Sequence, residues 1–230
     1  MKKDDKLIMV VEREQLFGKN GEMWFEGFKP HYETDYISII LQKHKYFPRS
    51  TAETDPSYKQ PIAYLLVVNP VQRSVFVYKR ASKDSAYSEK RLQGKWSWGI
   101  GGHIEKCDKI EGGNPITSSI LREVEEEIVF EGVEKSLAKF TKPDVLGYIN
   151  YDSNDVGKVH FGILYILETN CSTIRPKGNE IEMGCLKPIE GLQHLLSSPD
   201  VCVEEWSRIA LEPLIKYLES YRGTIKDKKR

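Results

Sequence analysis

Residues 101–130 read GGHIEKCDKIEGGNPITSSILREVEEEIVF, and the second half of that stretch decides the fold. Arg122-Glu123-Val124-Glu125-Glu126-Glu127 sets four carboxylates in five positions beside an arginine. A helical residue advances by about 100°. On that period Ile120, Leu121, Val124 and Ile128 share an apolar side expected to face a core. Glu123, Glu126 and Glu127, at i, i+3 and i+4, share another side, and Glu125 points away from them. Carboxylates on one face repel by about 0.2–0.5 kcal/mol per exposed i,i+4 pair. The cost rises where they converge in a cleft. A divalent cation removes the conflict, because carboxylate oxygens suit Mg²⁺ and such sites share the ion with substrate phosphates. A solvated acidic helix face would need no cation, so the residues upstream have to decide.

Asn114 is placed to cap the helix and Pro115 suits its first position. Before it, Trp96-Ser97-Trp98-Gly99-Ile100 reads as a strand entering the Gly101-Gly102 turn, followed by a loop to the helix. A glycine pair lets backbone approach a metal or a phosphate closely. Strand, glycine pair, loop and acidic helix in that order form a far more specific pattern than any one of them.

In this pattern the chain resembles the Nudix hydrolases, whose signature is G-x5-E-x7-R-E-U-x-E-E-x-G-U with U bulky and apolar. Gly102 matches the first glycine, residues 122–127 match R-E-U-x-E-E at every fixed position, and Phe130 fits the final U. Val129 stands where the late glycine would be, and the segment from Gly102 to Arg122 is six residues longer than the signature. The early glutamate slot falls on Asp108 counted from Gly102, or on Asn114 counted back from Arg122. The resemblance implies an α/β fold, a Nudix α/β/α sandwich with a mixed sheet, here with an N-terminal extension and a closing C-terminal helix. It implies a Mg²⁺- or Mn²⁺-dependent hydrolase that cleaves a phosphoanhydride bond in a nucleoside diphosphate linked to another moiety. Glu126 and Glu127 would be metal ligands, Glu123 a ligand or the base, Gly102 a carbonyl donor, and Arg122 the residue that orients a glutamate of the box. An acidic residue downstream often joins such sites, and Glu180 and Glu182 are the candidates, with Asp155 behind them. Two other readings keep the fold: an isomerase acting on a diphosphate, and a non-catalytic nucleotide-sensing module.

The rest of the chain fits one soluble domain, with residues 1–60 as an extension, 61–222 as the Nudix domain and 223–230 as a basic tail. Formal net charge is zero with 30% charged residues, which gives no basic excess for nucleic acid. The absence of an apolar run near 18 residues argues against a membrane span. Four scattered cysteines without a C-x-x-C pair read as reduced thiols of a cytoplasmic protein. The expected partner is a small nucleotide or other diphosphate, and the resemblance makes a homodimer the expected assembly.

Thr34-Asp35 can cap a helix running to about His44, although the β-branched Ile37, Ile39 and Ile40 also allow a strand; residues 46–60 read as a loop, and Ile62–Val68 with Ser74–Arg80 read as a hairpin. Lys79, Arg80, Lys90 and Arg91 could meet a diphosphate, or be ordinary surface cations. His103 and Glu105, just after the glycine pair, are further substrate-binding candidates, whereas His160 reads as a structural hydrogen-bonding residue. A stripe of Trp206, Ile209, Ala210, Leu214 and Leu218 marks a packed closing helix from Glu204 to Tyr221, ended by Gly223.

Overall fold

A computed structural model describes residues 6–82, 90–109, 113–131 and 142–227. In chain order the elements begin β1 (Leu7–Glu12), α1 (Arg13–Phe17), β2 (Gly27–Pro30), α2 (Tyr36–Lys43), β3 (Lys45–Pro48), α3 (Arg49–Ala52), β4 (Tyr58–Asn69), β5 (Ser74–Arg80) and β6 (Trp96–Ser97). There follow α4 (Pro115–Glu127), β7 (Ile128–Glu131), β8 (Asp144–Asn150), α5 (Asp155–Val159), β9 (His160–Glu168), β10 (Thr173–Pro176), β11 (Ile181–Pro188), α6 (Ile189–Ser197) and α7 (Glu205–Asp227). The fold is α/β with a mixed sheet: β1 pairs antiparallel with β3 and β4, β5 with β4 and β11, and β2 with β8, while a bridge between Trp96 and Val203 is parallel.

The chain divides into two units. The first takes Met1–Tyr64, Gly101–Val124 and Val145–Tyr165. Its strands lie in the order β4-β9-β8-β2, with Gly27 opposite Asn150 and Pro30 opposite Gly147. An aromatic cluster fills it, with Tyr36 edge-on to Tyr148 at 4.9 Å and Phe17 edge-on to Phe161 at 5.9 Å. The Asp35 carboxylate accepts from Ser38 N at 3.0 Å and so starts α2 at the expected place.

Residues 46–60 are not the loop their Pro, Ser, Thr and Asp content suggests. Leu7–Val10 pairs with Lys45–Pro48, Val11 and Glu12 pair with Lys59 and Tyr58, and Phe47, Ala52 and Tyr58 pack on Ile8 and Val10. Strand pairing and apolar burial here outweigh local turn preference.

The second unit takes Leu65–Ile100, Glu125–Asp144 and Ile166–Arg230. The expected hairpin is present, with Val68 opposite Val75 and Asn69 opposite Ser74. β11 lines the other edge of β5 from Arg80 to Ser74, and β7 pairs with β10. Ala210, Leu214 and Leu218 of α7 are buried as expected. α7 runs on to Asp227 rather than stopping at Gly223; a glycine inside a helix costs only about 1 kcal/mol.

The stripe on α4 also needs correction. The helix buries Pro115, Ile116, Ser119 and Ile120, while Leu121 is 56% exposed. The buried direction is centred on Ile116 and Ile120, and Leu121 lies about 100° around from Ile120. Among the described residues no helix is long and apolar enough to cross a membrane.

Candidate active site

The loop after the glycine pair is stitched to strands of its own unit. His103 bridges to Ile62, Glu105 bridges to Ile8, and Met9 N donates to Ile104 O at 2.7 Å. Both glycines are needed for close approach. A Cβ on Gly101 would lie 2.0 Å from Ala63 O, and one on Gly102 would lie 2.2 Å from Glu123 Oε1. The Gly102 main chain therefore lies directly against the Glu123 carboxylate.

Arg122 holds this arrangement together. Its Nε and Nη2 donate to Asp108 Oδ1 and Oδ2 at 2.9 and 3.0 Å, Nη2 also donates to His103 O at 3.0 Å, and Nη1 donates to Glu123 Oε1 at 2.7 Å. Burial works against the guanidinium charge, but bonds to Asp108 and the nearby Glu123 charge outweigh it and hold the proton more tightly than usual. Asp108 is 5% exposed and also accepts from Glu105 N at 2.7 Å. Asn114 instead caps the helix, where its Oδ1 accepts from Ile116 N at 2.9 Å and begins α4.

The helix ends against its own electrostatics. Glu125, Glu126 and Glu127 occupy the last turn, where carbonyl dipoles disfavour anions, and no basic residue of the helix lies there. Lys177 supplies the missing cation from outside: its Nζ donates to Glu125 O and its N to Glu127 O, both at 2.7 Å. Glu126 is exposed and Glu127 half-buried. Acids retained at the unfavourable end of a helix are expected where they serve a ligand.

A second group of donors lies in the first unit. His103 Nε2 is 3.2 Å from His160 Nε2 and 3.7 Å from Glu53 Oε1, and His160 Nε2 is 4.0 Å from the same Glu53 oxygen. His160 Nδ1 donates to Val156 O at 2.7 Å, and Gln60 Oε1 stands 2.7 Å from His103 Nε2.

Protein YmaB of Bacillus subtilis (strain 168) is 34% identical over 176 residues, spanning 73% of this chain and 78% of its own length. No family model matches the chain. The crystal structure of Tm1382, described as a candidate Nudix hydrolase, superposes with a TM-score of 0.66 at 24% identity, over 92% of this chain and 100% of that one. This chain belongs to the YmaB family and has the Nudix fold.

Within the Nudix box the contacts separate the two counts of the early acidic slot. Asp108 is the residue joined to Arg122 and Asn114 is the helix cap, so the six extra residues fall after Asp108. Residues 110–112 lie outside the described residues, and with them Glu111 and Gly112. Val129 sits in β7 opposite Arg175 and is 41% exposed, so its branched side chain has room where a glycine was expected.

The remaining candidates are dispersed. Glu105 accepts from Lys6 Nζ at 2.6 Å. Arg80 is buried in an ion pair with Glu204, and Lys79 Nζ donates to Glu182 Oε1 at 3.0 Å. Ser82 Oγ donates to the other Glu182 oxygen, and Glu180 O accepts from Ala81 N. Arg91 is exposed, and the Lys90 side chain lies outside the described residues. Glu53 and Gln60 were invisible to motif reasoning because they precede the box in a stretch read as a loop. The one signal was Lys59-Gln60, two polar residues opening an otherwise apolar strand.

Proposed function

We propose that this chain is a divalent-metal-dependent hydrolase that cleaves a phosphoanhydride bond of a nucleoside diphosphate linked to another moiety. The observation that carries this reading is the Arg122 clamp, which joins Asp108, His103 O and Glu123 beside the Gly102 main chain. Such a clamp has a use in positioning a carboxylate for work, beyond what helix packing requires. The donor set is carboxylate and carbonyl oxygen, which fits a hard cation such as Mg²⁺ or Mn²⁺.

On one helix, Glu126 and Glu127 lie a turn beyond Glu123. In this reading Glu126 and Glu127 bind the cation and Glu123 either binds it or takes the proton from the attacking water. Gly102 offers its carbonyl, and Arg122 is a positioning residue that fixes the Glu123 rotamer. When bound, the cation neutralises charge on the phosphate oxygens and lowers the pKa of water. The diphosphate and nucleotide class of substrate follows from the resemblance of the box.

A screen of nucleoside diphosphate compounds with Mg²⁺ or Mn²⁺, run beside Glu126→Gln, tests the reading. Metal-dependent release of a nucleoside monophosphate that collapses in the variant supports it. Isomerised product without hydrolysis would shift the reading to an isomerase, and tight nucleotide binding without any product would shift it to a sensor.

A further inference from the structure

We infer that Glu53, His103 and His160 form a separate site for a borderline transition-metal ion, Zn²⁺ or one of its divalent neighbours, apart from the glutamates of α4. The three ligand atoms are separated by 3.2, 3.7 and 4.0 Å, and a triangle with those sides has a point about 2.1 Å from every corner. Zn–N and Zn–O bonds are about 2.0–2.2 Å, so an ion enters with little movement of its ligands. Two imidazoles and a carboxylate are the ligand chemistry of Zn²⁺, Fe²⁺ or Mn²⁺ rather than of Mg²⁺.

The surroundings prepare the ligands. Val156 O can only accept, so His160 Nδ1 carries a proton, which leaves Nε2, 3.2 Å from His103 Nε2 and 4.0 Å from Glu53 Oε1, as the nitrogen to bind an ion. A histidine ligand whose other nitrogen donates to a carbonyl is the usual support of a metal site. Lys59 Nζ donates to His160 O at 3.0 Å and holds the same residue from its main chain. Arg49, one turn before Glu53, donates to Glu53 Oε1 at 3.3 Å from both Nε and Nη2, and a carboxylate has lone pairs enough for the arginine and an ion together. Gln60 Nε2 donates to Ala52 O at 3.0 Å, which turns its Oε1 toward His103 as a fourth donor atom. The side chains of His103, His160 and Glu53 are 13%, 8% and 18% exposed, low enough to exclude bulk water and open enough to admit an ion.

The same atoms could form a dry chain in which His103 donates to Gln60 and His160. Co²⁺ distinguishes the two. The full chain, stripped with a chelator and then held in excess Mg²⁺ to fill the carboxylate site of α4, is titrated with Co²⁺ and then with Zn²⁺, and the visible d–d absorption is read. The expected result is one equivalent of Co²⁺ per chain, displaced by Zn²⁺ and not by Mg²⁺. Affinity should fall about tenfold or more in Glu53→Gln and in His103→Asn, and stay unchanged in Glu126→Gln.

No uptake, or uptake lost only in Glu126→Gln, overturns the site. An intense near-ultraviolet thiolate band would move the ion to one of the free cysteines, Cys107, Cys171, Cys185 or Cys202, and also overturns it. Should the variants not fold, paramagnetic broadening confined to two histidine imidazoles of the wild-type chain supports the site, and its absence sinks it.

Discussion

Arg122 and Asp108 are joined by two parallel charge-assisted bonds, Nε to Oδ1 and Nη2 to Oδ2, at 2.9 and 3.0 Å. This pair ties the loop after the glycines to the helix across fourteen residues of chain. The six-residue lengthening falls inside that closed segment, so its ends are fixed by the salt bridge and the Asn114 cap whatever its length. Entropy of loop closure grows only slowly with length, which is why such an insertion is cheap.

Arg122→Lys keeps the charge and loses the fork. A lysine cannot reach both Asp108 oxygens, His103 O and Glu123 together. Turnover should fall by about 10–100-fold, the range for residues that orient metal ligands, while the apparent Mg²⁺ requirement rises. Asp108→Asn should act in the same direction. If turnover at saturating Mg²⁺ were unchanged in both, the clamp would have no part in the chemistry.

The two glycines should fail differently. A Cβ at Gly101 meets the Ala63 carbonyl of β4 at 2.0 Å, and backbone cannot step aside. Gly101→Ala should therefore lose about 1–3 kcal/mol of stability, read as a lower denaturant midpoint. At Gly102 the atom in the way is the end of the Glu123 side chain, which can rotate. Gly102→Ala should melt close to the wild type yet need more metal for half-maximal turnover. Equal losses of stability in the two variants would count against this division.

The box was legible because its spacing reports helix geometry directly: Glu123, Glu126 and Glu127 lie on α4, capped by Asn114 with Pro115 at its first position. β5, β8 and β9 were legible because apolar runs between turn residues leave few alternatives. The stretch from Tyr46 to Gln60 was not, since its structure comes from pairing with Leu7–Glu12, which no local pattern encodes. The same holds for Arg80. Its sequence neighbourhood reads as a basic strand end, and only packing brings the buried Glu204 to it. Choosing between Asp108 and Asn114 likewise needed a contact rather than a count.

Asp152 should set the acid limit of the first unit. Burial alone would raise its pKa, but Arg13, Lys59 and Trp24 all donate to it and bring it down to about 2 from 3.8. A carboxylate with a lowered folded value stabilises fully above its unfolded pKa, so this contribution is present above about pH 4 and lost as pH falls toward about 2. Burial also lowers Lys59 to about 8, so its deprotonation at alkaline pH favours the folded state and adds no alkaline loss. Asp152→Asn leaves Lys59 buried without its carboxylate and should cost about 3–5 kcal/mol at neutral pH. Urea midpoints between pH 2 and pH 8 check both statements: the variant's curve should be flatter on the acid side.

Arg80 and Glu204 offer the sharpest test of whether a basic residue expected at the substrate serves the fold instead. Both are buried, with side chains 9% and 7% exposed, and they are bonded to each other. Removing one partner leaves an uncompensated buried charge, so Arg80→Ala and Glu204→Ala should each lose about 3–5 kcal/mol. Arg80→Met combined with Glu204→Leu should recover much of that loss, because an apolar pair of similar size needs no partner. A double-mutant cycle on denaturant midpoints measures the coupling. If the recovered double variant also keeps the wild-type KM, Arg80 belongs to the packing of the second unit. A large rise in KM with stability restored would return it to the substrate.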